Sequence, residues 1–196
     1  MIQEEKIQSF IKNQTINWLK EDIVQIEQQF PQRREEIVQS LATVLDRIFQ
    51  HAYDLQQNKE KGAIAYLYIS LLRTNLLTDH YAYRIDLYNE KLYLDKIECT
   101  DTWRFDFIWK FLIQRIVQLK QTIHSSIYAN KVRTYHLNDI KLVMAESYQR
   151  IAILLTKVFI AEAIQKAKFA KFSKTDSFSI CMGDYQSSNL LLYKMQ

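Results

Sequence analysis

Residues 62–77 read GAIAYLYISLLRTNLL, and the architecture expected of the whole chain depends on how they are placed. The stretch is apolar on nearly all sides, and a helix of that kind belongs at the centre of a fold. Arg73 and Asn75 interrupt it, and it is shorter than the roughly 20 residues that a membrane-crossing helix takes. The expectation is a buried helix and no membrane association.

On the N-terminal side, Ile7, Ile11, Trp18, Leu19, Ile23, Ile26 and Phe30 recur at helical spacing with Gln, Lys and Glu between them. That pattern predicts one amphipathic helix over residues 3–29. Proline disfavours the α conformation at the residue before it and is tolerated at the first position of a new helix. Phe30-Pro31 is therefore expected to end the first helix and begin a second, whose buried stripe is Ile37, Leu41, Val44, Ile48, Ala52 and Leu55. Two helices joined this tightly pack antiparallel.

On the C-terminal side, residues 83–96, YRIDLYNEKLYLDK, alternate apolar and polar positions, which predicts a β-hairpin. With Asn89 and Glu90 at the turn, or with a four-residue loop from Tyr88 to Lys91 in the same register, Leu87 pairs with Leu92 and Ile85 with Leu94 on one face. Arg84 then meets Asp95, and Asp86 meets Tyr93, on the other. A helix capped by Thr100 or Asp101 follows, with Ile108, Phe111, Leu112, Arg115, Ile116, Leu119, Ile123 and Ile127 in its stripe. The last and longest helix is expected from Asn138 or Asp139 to about Phe172. Residues 177–195, SFSICMGDYQSSNLLLYKM, alternate again and predict a second hairpin. A lone two-stranded hairpin is barely stable in water, so the two gain most by joining. The expected fold is mainly α: a single domain over residues 1–196, about five long helices in a bundle, with two β-hairpins forming one small antiparallel sheet.

Composition narrows function by exclusion. Hydrophobic residues make up 48% of the 196 and charged residues 24%, the ordinary balance of a soluble globular protein rather than of a disordered one. The net charge of +4, with both signs interspersed, points to no particular partner. There are two glycines, Gly62 and Gly183, too far apart to shape a phosphate-cradling loop. Cys99 and Cys181 sit among apolar or β-type neighbours, where reduced, buried thiols are the common case. The opening MIQEEKIQSFIKNQ lacks the basic and then apolar pattern of a secretory signal, and a cytoplasmic location is the expectation.

His51, His80, His124 and His136 are scattered, with no HExxH and no CxxC, so neither a metal site nor a cofactor is implied. Asp79-His80-Tyr81 groups an acid, a base and a phenol before the first hairpin; turn chemistry produces the same cluster, and an enzyme of unfamiliar type would use it as acid and base. Lys166, Lys168, Lys171 and Lys174 interleave with Phe169 and Phe172, as a nucleic-acid surface would. Lysines at a helix C-terminus with phenylalanines turned to the core give the same letters. Arg84, Asp86, Tyr88, Tyr93 and Asp95 share the polar side of the first hairpin, and Tyr with Arg is what partner-binding surfaces over-use. The leading expectation is a non-catalytic protein-binding or regulatory protein, with a homo-oligomer as one form of partnership. Nucleic-acid association through the lysines, or catalysis near Asp79 and His80, are the alternatives.

Overall fold

The computed structural model describes residues 2–125, 132, 134–167 and 171–195, with side chains from Asn13 in the first helix and from Tyr135 in the last. The side chains of Ile7 and Ile11, and the whole of Ile127, Lys168 and Phe169, lie outside the described residues. Among the described residues the order is α1 (Ile2–Gln57), β1 (Ile64–Leu71), α2 (Arg73–Leu77), β2 (Tyr83–Tyr88), a 3-10 turn (Leu92–Leu94), β3 (Thr100–Trp103), α3 (Asp106–His124), α4 (Thr134–Lys166), β4 (Lys174–Asp184) and β5 (Asn189–Lys194). The strands form one mixed sheet of five, in the order β3-β2-β1-β4-β5. The expected bundle of five long helices with a small two-hairpin sheet is therefore wrong, for three local reasons.

First, residues 64–71 are the central strand. Leu67, Ile69 and Leu71 are fully buried on one face, while Tyr66 and Tyr68 are half-buried on the other. Tyrosine's apolar ring hides this period of two from any reading that counts it as hydrophobic. Second, α1 passes through Pro31 without ending. Ile26, Ile37, Leu41, Leu45, Ile48 and Ala52 are all buried and stay in helical phase across the proline. The proline costs about 3 kcal/mol or more, and burying several such side chains at about 1.5–3 kcal/mol each outweighs it. Third, only 83–88 of the first expected hairpin is strand. It pairs antiparallel with β1 on one side and with β3 on the other, with Arg84 opposite Thr102 and Asp86 opposite Thr100 in the second ladder, so Thr100 and Asp101 are ladder residues and not helix caps. The last helix likewise begins before Asn138 and Asp139, at Thr134.

The chain divides into two compact units, Met1–Arg34 with Asp106–Arg150, and Glu35–Phe105 with Ile151–Gln196; α1 and α4 contribute residues to both. In the first unit, Trp18, Ile26, Phe111, Leu112, Leu119 and Met144 are buried around an ionic centre. Asp22, 1% exposed, accepts from Arg115 Nε at 3.1 Å, Arg115 Nη2 at 2.6 Å and the Tyr148 hydroxyl at 2.5 Å. The Arg115 guanidinium also lies 5.5 Å from the centre of the Trp18 ring. Three helices are thereby tied to one carboxylate.

In the second unit the core face of the sheet carries Leu67, Ile69, Leu71, Tyr83, Ile85, Leu87, Trp103, Ile180 and Met182, all essentially inaccessible. Against it lie α1, through Ser40, which accepts from the Trp103 indole N–H at 3.1 Å, and α4, through Phe159, whose ring meets Trp103 and Phe105 edge-on. β1 pairs antiparallel with β2 and parallel with β4. Gln56, at the end of α1, sets where that parallel ladder begins: its Nε2 donates to Gly62 O and Ser173 O, each at 2.9 Å, and its Oε1 accepts from Ser173 N at 2.7 Å.

Removing one member of the Asp22 centre has unequal consequences. Tyr148→Phe deletes one charge-assisted bond and is expected to lower stability by about 1.5–3 kcal/mol. Arg115→Met strands a buried carboxylate and is expected to lower it by about 3–5 kcal/mol. Urea unfolding of both variants checks the order, and equal losses would contradict it.

Candidate functional site

Residues of β1, β2, β4 and β5 alternate, so the face opposite the helices is set by register. Row by row it holds Tyr88, Tyr66, Ser179 and Lys194, then Thr100, Asp86, Tyr68, Cys181 and Leu191, then Thr102, Arg84, Ser70, Gly183 and Asn189. Two short segments lie over it. The first is the connection from β2 to β3, which brings Tyr93 to 5.4 Å from Tyr88 and 6.0 Å from Tyr68, measured between ring centres. The second is the β4–β5 turn, which brings Tyr185 to 6.4 Å from Tyr93. With Tyr66 at 6.2 Å from Tyr68, five phenols form one continuous, partly exposed cluster. Edge-on pairs of this kind add about 0.5–1.5 kcal/mol beyond area burial.

Arg84 closes the cluster on one side. Its guanidinium stands 5.6 Å from the centre of the Tyr185 ring, its Nε donates to both oxygens of Asp86 at 2.8 and 2.9 Å, and its Nη2 lies 3.5 Å from Glu98. Asp86 is 2% exposed. Burial pushes its carboxyl above the ordinary range, and the bonds from Arg84 and Thr100 draw it only partly back. Burial also pushes the Tyr68 phenol up to about 12 and raises those of Tyr88 and Tyr93. Tyr68, Tyr88 and Tyr93 therefore titrate well above neutral pH and act there as neutral donors with apolar rings. Gly183 permits the turn to fold back here, because a Cβ would stand 2.2 Å from Ser188 O and 2.8 Å from the Asn189 Cα.

The structure brings Arg84, Asp86, Tyr88 and Tyr93 together, and places Asp95 elsewhere. Asp95 is held beneath the β2–β3 connection, accepting from Lys61 Nζ at 2.7 Å and from the backbone N–H of Asn89 and Ile97 at 2.9 and 3.3 Å. The two side chains are 0% and 3% exposed, and Lys61 also donates to Ile97 O at 2.6 Å. This ion pair is why residues 89–98 leave the ladder and arch over the face. Leu92 sits on the arch with φ of +52°, a conformation that side chains with a Cβ seldom adopt. Burial alone would raise the Asp95 pKa, but the bonds from Lys61, Asn89 and Ile97 outweigh it and hold the carboxyl below its usual value.

The other expected sites take ordinary structural places. Lys166 pairs with Glu35 and Glu162, the Lys174 ammonium lies over the rings of Phe172 and Phe178, and Lys171 is exposed. Near the proposed acid and base, Tyr81 donates to Asp79 at 2.8 Å, and His80 Nδ1 lies 3.2 Å from the Thr78 hydroxyl. Both cysteines are free, and burial raises the Cys99 thiol to about 12. Among the described residues no group of three or more His, Cys, Asp or Glu side chains could hold a metal ion, and no helix is long and apolar enough to cross a membrane. Sequence reasoning missed Tyr66, Tyr68 and Tyr185. The signal for the first two was present in AYLYISL, whose tyrosines and serine fall at every second residue.

Comparison with known proteins yields no match, whether with family models, curated sequences or solved structures. The reading of function therefore rests on this face.

Lys61→Met would strand the buried Asp95 carboxylate and is expected to lower stability by about 3–5 kcal/mol near pH 7. The sign with pH is specific. In the native protein the Asp95 contribution is complete above the usual carboxylate pKa and fades only as the pH falls below it. In the variant, burial without Lys61 raises the Asp95 pKa, so the deficit should shrink as the pH falls from about 7 to about 4.5. Urea titrations at the two pH values check this, and a constant deficit would contradict it.

Proposed function

We propose that the protein is a non-catalytic, cytoplasmic protein-binding or regulatory module whose binding surface is the tyrosine face of the sheet. The observation that carries this reading is the cluster of Tyr66, Tyr68, Tyr88, Tyr93 and Tyr185 with Arg84, partly exposed and held in place by two buried carboxylates. Tyrosine supplies large contact area at low rotamer entropy, and tyrosine and arginine are both enriched among the residues that dominate interface energetics. The arch adds preorganisation: Leu94, 78% exposed, stands next to Tyr93 on a segment fixed from below by Lys61 and Asp95. Presenting an apolar side chain on an already ordered segment reduces the entropy lost on association. Two free cysteines fit a reducing compartment. Nucleic-acid association has weaker support, because Lys166 is neutralised by two glutamates and Asp86 and Glu98 would repel phosphate at the tyrosine face.

Immobilised full-length protein is expected to retain a protein partner from a lysate of its source cell. Tyr93→Ala and Arg84→Ala should each weaken that retention about tenfold. Retention unaffected by both substitutions would overturn the reading, as would recovery of no bound chain, whether another protein or a further copy of this one.

A further inference from the structure

Two heptads of α4 carry an apolar seam on their outer side. Counted from Ile151 as position a, the b, c and f positions are Ala152, Ile153, Thr156, Phe159, Ile160 and Ala163, and all six are buried. The a and d positions are Ile151, Leu154, Val158 and Ala161. Leu154 and Val158 are each 64% exposed, Ala161 is exposed and Ile151 is half-buried. A surface helix ordinarily sets polar residues opposite its buried stripe, and a helix that is apolar all round is one that is covered all round. Residues 151–161 have the second composition with only one side covered.

The residues of the seam and its flanks select the occupant. β-branched residues at a with leucine at d favour a parallel pair of helices, and here a is Ile151 and Val158 while d is Leu154 and the small Ala161. In a parallel pair each g residue lies beside the e residue of the partner's next heptad. For this helix those positions hold Lys157 and Glu162, which are of opposite charge. Among the described residues Lys157 meets no carboxylate. Glu162 receives Lys166 at 3.3 Å, but Lys166 also pairs with Glu35, so two acids share one lysine, and a carboxylate accepts several donors. An antiparallel pair would set g beside g and e beside e, and the complementary contact would be lost. We propose that α4 pairs in parallel with α4 of a second copy of this chain through Ile151, Leu154, Val158 and Ala161, as an isologous dimer in which Lys157 of each copy binds Glu162 of the other. The nucleation cost that keeps short peptides from pairing this way is already met, because the seam is helical in the folded chain. None of the residues of the tyrosine face takes part, so the dimer stands or falls independently of that surface.

Sedimentation velocity of the full chain from about 5 µM to about 1 mM tests this. A contact of two heptads is small, so a concentration-dependent dimer with a dissociation constant of about 100 µM is expected. Lys157→Glu and Glu162→Lys each replace two attractions by two repulsions, and each alone should raise that constant about tenfold. An equimolar mixture of the two variants should return to the native affinity, because in the mixed pair both contacts again join opposite charges. A folding defect in either variant would not be repaired by mixing. Leu154→Asp, at a position already exposed, should leave the chain monomeric over the whole range with its far-ultraviolet circular dichroism unchanged. A monomer at every concentration would overturn the proposal, and so would a dimer that survives Leu154→Asp or a mixture that associates no better than its two components.

Discussion

The parallel ladder between β1 and β4 is the constraint on which the second unit depends. It joins Tyr66 to Ser179 and Leu71 to Asp184, residues separated by more than half the chain. Without it, the sheet would part into a three-stranded β3-β2-β1 piece and a two-stranded β4–β5 ribbon, and the ribbon is too small to be stable alone. Closing so long a loop loses chain entropy before any contact compensates. The compensation comes from the burial of Leu67, Ile69, Leu71, Ile180 and Met182 on one face, and from Gln56, whose amide bridges Gly62 and Ser173 where the two strands begin. A shift of one residue between β1 and β4 would turn the tyrosines inward and the leucines outward, so the position of the tyrosine face follows from the register that the core enforces.

How much of this was legible in the sequence differs element by element. The alternation in SFSICM and in YRIDLY marks strands plainly, and both segments are strand. The stretch after Gly62 carries the same period, but Tyr66 and Tyr68 belong to both classes, apolar by ring and polar by hydroxyl, and an apolar count converts the strand into a helix. Pro31 misleads in the opposite direction. Its local preference is for a break, yet the apolar stripe on either side keeps its phase, and summed burial exceeds one lost hydrogen bond. The pairing of β2 with β3 was hidden because it depends on Asp95 finding Lys61, a contact across 34 residues that no spacing rule encodes. Part of the candidate site, Arg84, Asp86 and Tyr88 on β2, could be read from alternation, whereas Tyr93 reaches the face from a 3-10 turn and not from the expected hairpin strand. The remainder comes from β1 and the β4–β5 turn, which only the tertiary fold brings beside it.

Three buried carboxylates do related work in different surroundings. Asp22 is shared by Arg115 and Tyr148 in the helical unit, Asp86 by Arg84 and Thr100 under the tyrosines, and Asp95 by Lys61 and two backbone amides beneath the arch. Burying an ion pair contributes little net stability relative to an apolar substitute. What these pairs supply is definition. An apolar contact tolerates sliding, whereas a carboxylate with two or three donors accepts one arrangement of the segments that carry them. Each therefore fixes a geometry that packing alone would leave degenerate: helix register for Asp22, the tilt of the cluster for Asp86 and the path of the arch for Asp95.

That distinction bears on why the outer face is tyrosine rather than leucine. A sheet covered by helices on one side must either bury its second face or make it compatible with water. Leucines there would leave a patch prone to indiscriminate association, while charged residues would leave little to bind with. Phenols offer apolar rings to a partner and hydroxyls to water, and the contact of Arg84 with Tyr185 restricts which way that ring faces. A surface of this kind can stay soluble when unoccupied and still gain free energy when covered. Its specificity then depends on what lies around the rings, and here that is Arg84 with Asp86 and Glu98 on the β2 side and Lys194 on β5.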